Sequence, residues 1–444
     1  MKGLINYWRA LTRLTQSICL FTLVNIILVN LVLSEILATK ETVLTHTTKF
    51  LHASQKSDSW TPMIKAFNYL QSAHQELLYS KIFFDDHIKF QYPPTSLLIL
   101  SLLEKILPKN NAWNDTSEII LKGSAWLFVI GMLFFVTQIF SLSLEKNFGK
   151  EINKSSKLDL ISRTILICWL TLSFYPVVKA YSVGQIQTWV NSLFSIAIWC
   201  WLKEKKQIAG TIVGIMCLIK PQYVIILIWG ALRKQWSFAI AFATTILICL
   251  SISILLFGRE NHINYLDVLS FISKHGEAYQ PNQSINGLLN RLLFNGDNLN
   301  FHVDSFPPFN PLVYIGTTIS SIALISIALL KPIKNSEKGS IADISIAALT
   351  CTIASPVAWE HHYGILLPIY AFLLPCLLKK KIFGDMTIPY FCISYLLCSN
   401  YFKVTDKLAY TSWNILQSYL LAGGFMVLVY LYALRDSKVD ITNS

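Results

Sequence analysis

Hydrophobic positions in this chain run in long blocks, separated by short polar stretches in which lysine recurs. A helix needs about 20 apolar residues to cross a bilayer. Blocks of roughly that order occupy about 17–37, 121–142, 162–180, 186–202, 236–257, 312–330, 341–357, 363–378, 386–401 and 413–434. The block 207–232 is interrupted near its centre by Lys220-Pro221. As one span, it would strand Lys331, Lys334, Lys338 and Lys379 to Lys381 outside. As two short spans it keeps them inside, where Lys and Arg concentrate, and puts Lys220 at the outer face. The pattern predicts an all-α polytopic membrane protein, a single domain over 1–444 with about twelve transmembrane helices and both ends in the cytoplasm. Two long outer loops remain, about 38–119 and 258–310.

The first outer loop has a pattern of its own. "FQYPP" (Phe90 to Pro94) precedes an apolar run from Thr95 to Leu107. Proline suits a helix start, where its missing N–H is no loss. That run spans only about 20 Å as a helix, short of the roughly 30 Å hydrocarbon core, so an interfacial helix is expected. Upstream, Trp60 to Leu78 places Met63, Ile64, Phe67 and Leu70 at helical spacing and predicts a second one.

Composition agrees with the blocks: 53% of residues are hydrophobic and 14% charged, against about 25% charged in soluble domains. The net charge of +12 resides in the short basic loops, including Lys146, Lys150, Lys154, Lys157 and Arg163. Topology accounts for that charge, and no nucleic-acid partner is expected. The nine cysteines fall within apolar runs and no pair has ligand spacing, so neither a disulfide framework nor a metal site is expected. Lys2, Arg9 and Arg13 precede the first block with no good small-residue cleavage site after it, which reads as an uncleaved first helix. Neither GxxxxGK[ST] nor GxGxxG occurs. An enzyme working outside would lack nucleotides, so its activated substrate must arrive in the membrane, and no cofactor is implied.

Four polar clusters fall on the outer side of this topology. They are Asp58 in "KSDSW" with Asp85, Asp86 and His87 further on; "YSVGQIQ" with Lys220 in "IKPQY"; "YQPNQSINGLLNR", ending at Arg291; and "SPVAWEHHYG". Each has an ordinary explanation beside the functional one. Loop acids are common, Trp60, Trp359 and Tyr363 fit interfacial anchors, and Asn282-Gln283-Ser284 fits a polar turn. Lys220 between two apolar half-helices is harder to explain that way, because a charge there is unfavourable unless it faces a polar cavity. His361 and His362 beside Glu360 carry a similar penalty.

The ordered set formed by a first-loop aspartate, "FQYPP", "VGQ", "AG…G…IKPQY", "NQS…R" and "SPVAWEHH" resembles glycosyltransferase family 87, over about residues 55–375. The resemblance implies a GT-C integral-membrane enzyme of the bacterial inner (plasma) membrane. Such an enzyme transfers a sugar, with inversion, from a polyprenyl-phosphate donor to a lipid or glycan acceptor on the extracytoplasmic side. The family's essential aspartate matches Asp58 and its histidine matches His361 or His362. Chemically, a carboxylate must take the acceptor's proton, which suits Asp58. Cations must meet the departing phosphate; Lys220, Arg291 and one histidine are the candidates. Tyr92, Trp359 and Tyr363 would hold the sugar ring or the polyprenyl chain, with Gln185 and Gln283 as polar substrate contacts and Asp85 and Asp86 as the rival acids. Ser59-Trp60 after the aspartate and Glu360 before the histidines depart from the family pattern. A secondary transporter or lipid-linked sugar flippase is the main alternative, and a glycan polymerase or ligase the other.

Overall fold

The computed structural model describes residues 7–32, 41–72, 76–107, 113–149, 156–333 and 339–437. Lys150, Lys154, Lys334 and Lys338 of the basic loops lie outside them. The described residues form helices and no strands, and every apolar block carries a helix. Five helical stretches are long and apolar enough to cross a bilayer alone: Trp113–Phe148, Trp236–Phe257, Pro311–Leu330, Glu360–Lys379 and Asn414–Asp436. Lys157–Leu172 and Tyr175–Ser182, bent by 57°, add a sixth if counted together. By that measure the described residues hold five or six spans where the blocks suggest about twelve, because the remaining helices are short. Leu247 and Leu255 on Trp236–Phe257 are 64% and 85% exposed, an apolar face suited to lipid.

The breaks have local causes. Lys220 is extended (φ −133°, ψ 96°) between the helices Lys206–Ile219 and Val224–Leu232, because Pro221 pushes its predecessor out of the helical region. The interruption in the sequence is therefore a real division into two short helices. Lys206–Ile219 packs closely on Trp236–Phe257, and a Cβ at Gly210 would run into the Phe238 carbonyl.

Polar groups segregate to opposite ends. At one end Asp343 is fully buried and accepts from Trp229 Nε1 (3.0 Å), Arg233 Nε (2.7 Å) and Arg435 Nη1 (3.0 Å). Lys331 pairs with Asp436 there at 2.9 Å. Arg233 thus shares an end with the basic loop near residue 331, as two short helices over 207–232 require.

The two helices expected in the first long loop differ from one another. Pro94–Leu97 forms a 3-10 turn leading into Leu98–Ile106. Leu100 is buried while Leu102 and Ile106 are 53% and 68% exposed, the amphipathic habit of an interfacial helix. The upstream helix is shorter than expected, Trp60–Gln71. Its apolar face is covered by protein, with Trp60, Met63, Ile64 and Phe67 all buried and Phe67 stacked on Trp113 at 5.6 Å. It belongs to the core and not to the membrane surface. The second long loop contains the helices Arg259–His275 and Ile285–Leu292.

Candidate active site

Asp58 is positioned by "VGQ", a segment far from it in sequence. Gly184 has φ +70°, in the left-handed region that glycine adopts without strain. A Cβ at Gly184 would run into the Lys56 backbone carbonyl. This close approach lets the N–H groups of Lys56, Asp58 and Ser59 donate to the carbonyls of Ser182, Val183 and Gly184, each at 3.0 Å. Gln185 then donates from Nε2 to Asp58 Oδ2. Its Oε1 accepts from Ser59 Oγ at 2.8 Å and from the Tyr92 hydroxyl at 2.9 Å. Both acceptor contacts hold the amide with its N–H toward the carboxylate. Asp58 can be reached from the cavity it lines, yet protein hems it in. Withdrawal from bulk water raises its carboxyl above the ordinary range, opposed by the Gln185 donor and by the Lys56 and Lys179 charges. Gly184→Ala is expected to cost about 1–3 kcal/mol of stability through the strained backbone. It should also lower activity by displacing Asp58; an unchanged melting temperature and unchanged activity would refute this account of "VGQ".

The cationic wall is assembled just as remotely. Lys220 Nζ lies 2.6 Å from His362 Nε2. An ammonium can only donate, so with Lys220 charged that nitrogen is the acceptor and the His362 ring is neutral. No carboxylate pairs with Lys220 among the described residues, which leaves its charge available to an anion. The neighbouring His361 has a buried Nε2 with no hydrogen-bond partner. The two histidines are therefore unequal: His362 orients Lys220, and His361 carries an unclaimed ring nitrogen.

The turn bearing the histidines, Glu360–Ile365, is locked by the "NQS" segment. Asn282 Oδ1 accepts from the Ala358 N–H at 2.9 Å, the Gln283 N–H donates to the Ala358 carbonyl at 2.8 Å, and the Glu360 N–H donates to the Pro281 carbonyl at 2.9 Å. Tyr363 donates its hydroxyl to the Gln283 carbonyl at 2.5 Å. Two of the four clusters are thus one rigid unit.

One cavity of about 1220 Å³ gathers Asp58, Gln185, Tyr92, Lys220, His361, His362 and Trp359 on its walls, with Asp86 also reaching it. It exceeds the roughly 300–1,000 Å³ of ordinary small-molecule sites. Arg291 and Gln283 are not on its walls, contrary to the expectation that they touch substrate. Arg291 is 2% exposed; its Nη1 donates to the Gln280 and Asn282 carbonyls at 3.3 and 2.9 Å, and its Nη2 to Ser418 Oγ at 2.6 Å. Gln283 donates to the Gln280 and Gln417 carbonyls, both at 2.8 Å. Both brace the turn from behind. Asp85 is exposed and off the cavity, and Asp86 is exposed and paired with Lys81 at 3.1 Å. Tyr363 is fully buried behind the wall.

Sequence reading missed Lys179 and Lys89, which also line the cavity. Lys179 Nζ lies 3.7 Å from Glu360 Oε1 and 3.5 Å from Glu41 Oε1, and the Tyr175 hydroxyl donates to the same Glu360 oxygen at 2.6 Å. A charge within the apolar helix Tyr175–Ser182 was the available signal, the same one that marks Lys220.

Fold and site together define a polytopic α-helical membrane protein built around one large cavity with charged side chains on its walls. The chain belongs to glycosyltransferase family 87, whose family model matches residues 90–356. Tyr92, Gln185 and Lys220 fall inside that stretch, while Asp58 and both histidines fall outside it. A polyprenol-phosphate-mannose-dependent alpha-(1-2)-phosphatidylinositol pentamannoside mannosyltransferase of Mycobacterium tuberculosis is 24% identical over 212 residues, 46% of this chain and 44% of its own length. The protein of the same description from Mycolicibacterium smegmatis is 22% identical over 216 residues, 48% of each chain. The chain therefore spans less than half the length of these curated relatives.

Proposed function

We propose that this protein transfers a sugar, with mannose the first donor to test, from a polyprenyl phosphate to an acceptor glycolipid or glycan. The observation that carries the reading is one cavity, in a member of glycosyltransferase family 87, that holds both a carboxylate oriented by an amide and a lysine paired with no carboxylate among the described residues. An acceptor hydroxyl attacks the anomeric carbon from the face opposite the phosphate, the C–O bond to phosphate breaks, and the sugar inverts. Asp58 Oδ1, which accepts no protein hydrogen bond among the described residues, takes the hydroxyl proton. Lys220, held by His362, meets the charge growing on the phosphate, and His361 is the adjacent ligand. Arg291 and Gln283 position the histidine turn without touching substrate. Tyr92 orients Gln185. A transporter would place its polar site near the bilayer midplane between repeats, whereas this cavity is walled largely by the long loops.

The test is purified protein in nanodiscs with a panel of radiolabelled polyprenyl-phosphate sugars and nucleotide sugars. Label should move only from the lipid-linked donors; robust transfer from a nucleotide sugar without a lipid intermediate would exclude the mechanism. The active face is proposed to be extracytoplasmic, in the bacterial plasma membrane. In a cysteine-free variant, Lys56→Cys and Asp304→Cys should react with an impermeant thiol reagent on intact cells, and Lys203→Cys should not. Reaction at Lys203→Cys alone would reverse the orientation.

A further inference from the structure

Three aromatic rings share one part of the cavity wall, Trp359 packed against the core and Tyr279 and Phe301 apart from it. The ring centroids of Tyr279 and Phe301 are 5.9 Å apart, those of Tyr279 and Trp359 6.3 Å, and those of Phe301 and Trp359 5.7 Å. All three line the cavity. Phe301 is 39% exposed, and Tyr279 and Trp359 are half-buried. Interfacial anchoring does not by itself explain them, because the cavity they line also holds Lys89, Lys179 and Glu360.

The rings are also braced, although Phe301 lies outside any helix. Lys89 Nζ sits 4.4 Å from the Phe301 centroid and 4.0 Å from that of Phe306, and pairs with Glu277 at 3.3 Å. Glu277 Oε1 in turn accepts from the Ala278 and Tyr279 N–H groups at 3.1 and 3.4 Å. A cation over an aromatic face is held by the ring quadrupole, so one lysine and one glutamate tie both outer loops to the cluster. Lys179, on the same cavity, supplies a donor beside Trp359-Glu360.

An apolar, preordered aromatic surface with a polar donor at its edge matches a pyranose, which has a C–H face and a rim of hydroxyls. We infer that Tyr279, Phe301 and Trp359 form a stacking platform for a second sugar ring of the acceptor, so that the acceptor is a glycan of at least two residues. The donor sugar is tied to the phosphate at Lys220, and the acceptor's reacting ring must bring its hydroxyl to Asp58. Neither fills the exposed rim at Phe301 and Val303, the latter 64% exposed. A cavity of about 1220 Å³ has room for a further ring.

The inference rests on the transferase reading, and the experiment separates the two. Wild type in nanodiscs is given labelled polyprenyl-phosphate mannose, first with no acceptor and then with alkyl mannosides of one, two and three residues. Failure to cleave any polyprenyl-phosphate sugar of the panel under every condition removes the transferase reading and the platform with it. Given cleavage, the two-residue acceptor should be favoured over the one-residue acceptor by roughly tenfold or more in kcat/KM, chiefly through KM. Phe301→Ala and Trp359→Ala should erase that preference, and Phe301→Tyr should keep it. Equal use of both acceptors by wild type, or a preference that survives both alanine variants, overturns the platform. So does a defect that follows the donor's prenyl length, which would give the rings to the lipid.

Discussion

Asp58→Asn is expected to lower turnover about 10²–10⁴-fold with donor binding close to wild type. The substitution keeps the shape and a hydrogen-bonding oxygen but cannot take a proton. Donor binding is spared because the donor needs no base. The pH profile makes the assignment sharper. Burial raises the Asp58 carboxyl above the ordinary carboxylate range, and a base works only when ionised. Turnover should therefore fall as pH drops through that raised value, at a higher pH than for a free aspartate, and the residual activity of Asp58→Asn should lack this limb. Asp85→Asn and Asp86→Asn are the controls. If either abolishes turnover while Asp58→Asn stays active, the base is elsewhere.

Lys220→Met should weaken donor binding and lower turnover as well, the latter about 10²–10³-fold, the usual loss when one preorganised electrostatic partner is removed. Methionine keeps the stem's bulk, so the break at Pro221 and the packing around it should survive. The phosphate is anionic before transfer and more so as it departs, which is why both quantities fall. His361→Ala should reduce donor binding directly. His362→Ala should act through a mispositioned Lys220, and Arg291→Gln should appear as lost stability without a specific donor-binding defect. Wild-type donor binding and turnover in both Lys220→Met and His361→Ala would remove the phosphate site, and with it the physical case against a transporter.

Helices were legible because lipid imposes one pattern on every crossing, and the Lys220-Pro221 break because proline acts on its immediate neighbour. Asp58, Gln185 and Tyr92 were legible as members of an ordered set, although their mutual contacts were not. Periodicity in Trp60–Gln71 showed that one face is buried but not what buries it; Trp113 and Phe257 do, at ring distances of 5.6 and 6.3 Å from Phe67. Arg291 misled for a related reason. An arginine after a polar turn reads as an anion ligand, yet here the turn itself exposes two carbonyls that take the guanidinium. The aromatic cluster was invisible because Lys89, Glu277, Phe301 and Trp359 meet only through tertiary structure. The histidines could not be ranked without knowing that Lys220 reaches one of them.

Lys220 and His362 are 142 residues apart, and that separation sets an order of assembly at the ribosome. At about 5–20 residues per second, roughly 7–28 s pass between synthesis of the lysine and of its histidine. The residues of the Asp58–Gln185 contact, with Ser59, Tyr92 and Ile186 around them, all precede Lys220 and are synthesised by then. Throughout that interval the nascent chain carries an amine between two apolar half-helices with no partner. A chain stalled or cleaved before His362 would insert with Asp58 and Gln185 present and Lys220 lacking its hydrogen-bond acceptor, a form open to membrane quality-control proteases.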